Sequence, residues 1–195
     1  MLLNYDPLAP LYIIGTSVAA SELQNWISQE TLGAVITISK DEYYNLPADS
    51  QCIIGFQTIQ YRINFLQTIY NNTRWVTYIH PRAFVSDSTK LGNGTTIGPL
   101  TCINHKVTVD KHASIGPLVT IGHGATLGNN CVISPGVVIG GSAVVGDNVY
   151  FGQSSSVRDK ITICSNTNFA MTSAVTKDIE QSGTYISNKK TNIIL

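Results

Sequence analysis

A six-residue register runs unbroken through almost half of this 195-residue chain. From Val85 onward every sixth residue is apolar: Leu91, Ile97, Ile103, Val109, Ile115, Ile121, Leu127, Ile133, Ile139, Val145, Phe151, Val157, Ile163, Phe169 and Val175. Sixteen positions keep phase without an insertion, which a β-sandwich with its drifting strand spacing would not do. The residue after the anchor is often glycine, as at Gly92, Gly98, Gly116, Gly122, Gly128, Gly140, Gly146 and Gly152. Four residues after it the chain is small or β-branched, as at Thr95, Val107, Ala125 and Cys131. A unit of six is too short for a helix with its own core and does not fit a 3.6-residue period. It fits a short strand and a sharp turn, with the anchor and the small residue facing inwards. The glycines are expected to serve the turn. Three units close a triangular coil, and successive coils stack as parallel strands about 4.8 Å apart. No coil buries its apolar interior alone, so roughly five stacked coils predict a parallel β-helix held by neighbour contacts.

The first eighty residues follow another rule. Leu11–Ile14, Val35–Ile38 and Gln51–Ile54 read as strands, with a fourth over Trp75–Ile79. Thr16 and Ser17 can cap a helix from Val18 to Ser28. A second helix is expected from about Thr58 to Tyr70, with Ile59, Ile63, Leu66 and Ile69 at helical spacing. Alternating strands and helices in so short a span predict a small parallel α/β unit. The domain expectation is therefore 1–80 for an α/β head, 81–188 for the β-helix and 189–195 for a tail.

Twelve basic residues balance twelve acidic ones, so no broad field favours nucleic acid or an anionic membrane surface. The apolar runs are too short to span a bilayer. The N-terminal stretch lacks a basic region and a cleavage site of signal type. The four cysteines lack metal-type spacing, and Cys131 in an inward slot reads as a free buried thiol. A reduced, cytoplasmic setting is the expectation.

The array resembles the hexapeptide-repeat acyltransferases. With the α/β unit in front, the chain is similar to the sugar O- and N-acetyltransferases of bacterial surface-glycan pathways. The join Tyr78-Ile-His80-Pro-Arg-Ala83 and the stretch Ala174–Ile179, followed by Gly183-Thr-Tyr-Ile-Ser, carry that resemblance too. It implies a left-handed coil, a homotrimer, acetyl-CoA as acyl donor and a sugar or nucleotide-sugar acceptor. It also implies that the Gly15-Thr16-Ser17 turn contributes to acceptor binding. A strand running into a helix N-terminus presents free N–H groups suited to an anion. Where the family's turn is richer in glycine and histidine, this chain has Val18, Ala19 and Ala20.

Acyl transfer to an amine or hydroxyl needs a general base, and histidine titrates near neutrality. His123, two residues after anchor Ile121, aligns by motif with the family's catalytic base. Its neighbour is Gly124, where many relatives carry an orienting carboxylate. His105 lies eighteen residues earlier, hence on the same edge one coil below, as a candidate for the acceptor side. Gly141, one coil above, is expected to leave room for a pantetheine arm, with the N–H groups of Gly140 and Gly141 as donors to pantetheine or an oxyanion. Asp159 and Lys177 continue the edge and complete the expected cofactor groove. His112 is expected at an exposed turn, His80 at the junction, and Asp87 and Asp147 in turns. No metal is expected. Two alternatives stand beside the transferase: a metal-dependent solenoid built on His105 and His123, and a non-catalytic scaffold.

Overall fold

The computed structural model describes residues 1–69 and 72–191. The six-residue register becomes three parallel faces of two-residue strands. Face 1 carries Thr96–Ile97, Ser114–Ile115, Val132–Ile133, Tyr150–Phe151 and Thr167–Phe169. Face 2 runs from Phe84–Val85 through Cys102–Ile103, Thr120–Ile121, Val138–Ile139 and Ser156–Val157 to Ala174–Val175. Face 3 runs from Lys90–Leu91 through Thr108–Val109, Thr126–Leu127 and Val144–Val145 to Thr162–Ile163. Each strand pairs in register with the residues eighteen further on, so that Ile103 lies over Ile121 and Ile121 over Ile139.

The anchors fill the interior. From Ile97 to Val175 they are buried, and the small residues four positions later, such as Val119, Ala125 and Cys131, have no exposed surface. Each buried aliphatic side chain contributes about 1.5–3 kcal/mol. In the later coils Phe151 and Phe169 stack at 5.0 Å between centroids, and Tyr185 continues the column. Cys131 is a free, buried thiol pushed up to about 12 chiefly by burial.

The glycines have a different reason from the one expected. The repeated glycines after the anchors do not have positive φ. A Cβ at Gly122 would meet the backbone N of Gly141 at 2.5 Å, and one at Gly140 the N of Asp159 at 2.4 Å. They are glycine because the next coil's backbone crosses directly over them. The left-handed conformation falls two residues later, every sixth residue from Gly94 to Thr172, and is mostly taken by non-glycine residues such as Leu118, Asn130 and Lys160. Such positions cost roughly 1–3 kcal/mol each and persist because the flanking ladder bonds over-determine them.

In the head, Leu11–Ile14 is central in a parallel sheet, flanked by Val35–Ile38 and Gln51–Ile54, with Arg74–Trp75 outermost. Helix α1 spans Val18–Ser28 as expected, its Ala20, Leu23 and Ile27 buried. A short helix, α2 at Lys40–Tyr43, went unforeseen although Ser39 and Glu42 form a capping box. Helix α3 is shorter than expected, Ile59–Leu66, and the expected end at Tyr70 lies outside the described residues. Its buried side chains are Arg62 and Phe65, not the isoleucine stripe. The expected fourth strand is divided at Val76: Arg74–Trp75 stays in the head sheet, whereas Thr77–Ile79 pairs with Thr96–Ile97 on face 1.

Face 1 is thereby extended at both ends. Leu2–Leu3 pairs antiparallel with Thr77–Tyr78 at one end. At the other, Gly183–Ile186 pairs parallel with Thr167–Phe169, and Lys189–Thr191 folds back antiparallel on it. The expected tail thus begins as a strand, and 192–195 lie outside the described residues.

His112 is not an exposed turn residue. It is 8 % exposed, its ring 4.8 Å from that of Trp75 in an edge-on contact. Its corner position carries Asn130, Asn148 and Asn166 in the next three coils, linked amide to amide at 2.9 and 3.1 Å. Arg62 of α3 anchors this ladder. It is 1 % exposed and donates from Nε to Asn130 Oδ1 at 2.8 Å, from Nη1 to the Phe56 carbonyl at 2.8 Å, and from Nη2 to the His112 carbonyl.

Burial, with the nearby Arg62 and Lys111 charges, holds the His112 imidazole down at about 4. The unfolded chain takes up that proton near pH 6.5, so the contribution of the neutral ring to stability is full above this pH, declines as pH falls, and is gone by about pH 4. The loss should reach about 3 kcal/mol. Urea midpoints between pH 7.5 and 4.5 should fall steeply for the wild type and less for His112→Asn, which continues the ladder.

Candidate active site

The corner between faces 2 and 3 brings five of the expected site residues onto one edge: His105, His123, Gly141, Asp159 and Lys177, each one coil apart. The register bonds that place them are regular. Gly124 N donates to the His105 carbonyl at 3.0 Å, Ser142 N to that of His123 at 2.8 Å, and Lys160 N to that of Gly141 at 2.9 Å.

His123 projects outwards because its neighbours prevent any other course. Ile121 points into the core, Gly122 lies under the next coil, and Gly124 takes φ +66°. The two imidazoles stack, with centroids 5.8 Å apart and planes 15° from parallel. Above the His123 ring lies Gly141. A Cβ there would stand 2.7 Å from Cε1 and 3.0 Å from Nε2. The space over Gly141, expected to take a pantetheine arm, is therefore filled by the His123 ring. The glycine makes room for the imidazole. Among the described residues no side chain or carbonyl hydrogen-bonds to the His123 ring, so the sandwich sets its plane.

Gly140 also needs correction as a donor. Its N–H is committed to the Val157 carbonyl at 2.9 Å. The Gly141 N–H has no partner within the chain among the described residues, and it is the backbone donor left at this height. Asp159 and Lys177 are exposed. Among the described residues no group of three or more His, Cys, Asp or Glu side chains is placed to hold a metal ion. A metal solenoid would need a third ligand on the His105–His123 edge.

The Gly15-Thr16-Ser17 turn does not join this edge. Ser17 caps α1, accepting from Ala20 N at 3.3 Å, and its hydroxyl lies 3.4 Å from the Gly55 carbonyl as donor. Gly15 has φ +128°, and a Cβ on it would stand 3.0 Å from the Phe56 ring. Beyond the turn, Ala19, Glu22, Leu23 and Trp26 of α1 line a cavity. Between α1 and face 1 a cavity of about 290 Å³ is lined by Glu22, Trp26, Ser114, Ser134, Tyr150 and Gln153 among others. The sequence reading missed these residues as a site, since they come from four separate segments. Trp26 at the exposed edge of α1 was the available signal. His80 sits at the junction as expected, its ring edge-on to Trp26 at 5.7 Å.

Residues 106–141 match the bacterial transferase hexapeptide family, described as six repeats. No curated protein sequence matches the chain. Among solved structures, the acetyltransferase domain of PglB from Neisseria gonorrhoeae is similar at a TM-score of 0.85 and 17% identity, over 90% of this chain and 95% of that one. Its complex with acetyl coenzyme A gives 0.65 at 17% identity, over 91% and 95%. PerB from Caulobacter crescentus, solved with CoA and GDP-perosamine, gives 0.59 at 18% identity, over 90% and 93%. The chain has the fold of the left-handed β-helix acetyltransferases, built on the hexapeptide repeat. Its head and solenoid superpose together on the PglB acetyltransferase domain over 90% of the chain.

Proposed function

We propose that this protein transfers an acetyl group from acetyl-CoA to an amino or hydroxyl group of a sugar, within bacterial surface-glycan synthesis in the cytoplasm. The observation that carries the reading is the His123 imidazole held between His105 and Gly141 at an exposed corner. A base with its ring plane fixed and one face of the corner open suits direct attack without an acyl-enzyme. The acceptor N–H or O–H gives its proton to His123 as its lone pair attacks the thioester carbonyl. The tetrahedral oxyanion meets the free Gly141 N–H. The C–S bond then breaks, and the proton returns from His123 to the CoA sulfur. The stack does for orientation what a following carboxylate would do. His105 closes the acceptor side, and Lys177 with Asp159 extends the edge towards the CoA phosphates and pantetheine.

A convex corner holds no ligand alone, so the reading includes a homotrimer with the groove between neighbouring solenoids. Face 2 supports it: its outward residues, Phe84, Cys102, Thr120, Val138, Ser156 and Ala174, carry no charge, and Leu100 and Leu118 at the adjoining corner are more than half exposed. Among the described residues no helix is long and apolar enough to cross a membrane.

The test is calorimetry of acetyl-CoA with the wild-type protein, followed by thiol release with sugar acceptors. Micromolar binding and acceptor-dependent release are expected from a particle sedimenting at three times the chain mass. Absence of acetyl-CoA binding would remove the reading.

A further inference from the structure

The corner between faces 3 and 1 repeats a pair of residues coil by coil: Asn93-Gly94, Lys111-His112, Asn129-Asn130, Asp147-Asn148 and Ser165-Asn166. The second of each pair takes the left-handed conformation, with φ from +56° to +76°. From the second pair on, its N–H is committed to the coil below. His112 N donates to the Asn93 carbonyl at 2.9 Å, Asn130 N to that of Lys111 at 2.9 Å, and Asn148 N to that of Asn129 at 2.8 Å. Gly94 begins the column, and its N–H has no partner among the described residues. Packing imposes the glycine there, since a Cβ would stand 2.5 Å from Nδ1 of the buried His112 ring. The fold thereby holds an Asn-Gly sequence, which occurs in the chain only here, at an exposed corner.

The Asn93 amide is disposed to lose its nitrogen. Its Oδ1 accepts from Asn4 Nδ2 at 2.8 Å, which polarises the carbonyl and leaves Cγ electrophilic. Its Nδ2 makes no hydrogen bond among the described residues. Asn93, Asn4, Arg74 and Trp75 line one open surface depression, so water reaches the amide. Asn129, two coils further on at the same corner, is the contrast. Its Nδ2 donates to Asp147 Oδ1 at 3.1 Å, and the following N–H is the one held by Lys111.

Independently of the transferase reading, we infer that Asn93 is a self-modification site, where the free Gly94 nitrogen closes on the side-chain amide and converts it to a carboxylate at the seam of head and solenoid. Hydroxide takes the Gly94 N–H proton, and the nitrogen attacks Asn93 Cγ. The N–Cγ bond forms, the Cγ–Nδ2 bond breaks, and Nδ2 leaves as ammonia with a proton from water, which restores the hydroxide. Water then opens the cyclic imide. Opening at Cγ gives aspartate, and opening at the main-chain carbonyl gives isoaspartate, whose backbone runs through Cγ. Either product sets a carboxylate in the same depression as Arg74, which makes no ion pair among the described residues. The longer isoaspartate backbone also moves the carbonyl that accepts from His112 N.

Native and guanidinium-unfolded wild-type protein are incubated side by side at mildly alkaline pH. Each asparagine is followed by peptide mass mapping, and isoaspartate is labelled with an isoaspartyl methyltransferase. Folding should slow Asn129 by about tenfold, the factor for first releasing a backbone hydrogen bond, and should leave Asn93 close to its unfolded rate. In the native protein the first ammonia released should match the conversion of Asn93, rise in rate with pH, and be lost in Asn93→Ser. Should that variant fail to fold, the comparison of native with unfolded wild type still decides. A native rate at Asn93 slowed as much as that at Asn129, or early ammonia release that survives in Asn93→Ser, would overturn the inference.

Discussion

His123→Asn is expected to lower the rate of acetyl transfer by about 10²–10⁴ while leaving the affinity for acetyl-CoA unchanged. Asparagine keeps a polar group at the corner but removes the basic nitrogen proposed to take the acceptor's proton. The sandwich around the ring gives this prediction a second arm. In Gly141→Ala the new Cβ would stand 2.7 Å from Cε1, so the ring must leave its place over His105. That variant should lose much of the rate with His123 still present. Single-turnover thiol release on both proteins checks the pair. An undiminished rate in His123→Asn would remove the base assignment, and an undiminished rate in Gly141→Ala would remove the stack from the mechanism.

Arg62→Met should be the most destabilising single change in the head, by about 3–5 kcal/mol. Arg62 has no carboxylate partner among the described residues; its guanidinium is met by three neutral oxygens. Burial draws it down to about 10, so it stays charged at neutral pH. Methionine fills much of the space but leaves Asn130 Oδ1 and the Phe56 and His112 carbonyls without their donor, at about 1–3 kcal/mol for each buried orphan. Two of those oxygens belong to the solenoid and one to the head, so the loss falls on their docking. Urea unfolding should show a lowered midpoint. Hydrogen exchange should quicken in α3 and around Phe56 before the coils from Ile103 to Val157 are affected.

The register of the solenoid was legible because a single spacing imposes the same burial sixteen times, and one apolar anchor per turn suffices to state it. Helix α1 was legible to the residue, since Ser17 caps it where a serine should. The pairing of His105 with His123 followed from the eighteen-residue coil alone. What the spacing could not carry was anything set by contact between distant segments. Gly140 and Gly141 are both glycine, yet one carries a committed N–H beneath Asp159 and the other makes way for an imidazole. Arg62 broke the apolar face of α3 and was passed over, because its partners lie 50 and 68 residues further along. His112 was read as exposed because a corner position normally is, and the head's Trp75 covers it. The division of the fourth strand at Val76 was equally invisible, since both halves are strand by propensity and only the neighbours differ.

The antiparallel strands at the two ends of face 1 bear on how copies of this molecule meet. A stack of parallel coils ends in unpaired backbone that another stack could continue, coil upon coil, into a filament. Leu2–Leu3 and Lys189–Thr191 run against the direction of the coils they cover. The alternating hydrogen-bond spacing they present does not match the even, slanted spacing of a parallel ladder. Growth along the solenoid axis is thereby discouraged at both poles, and association is left to the sides.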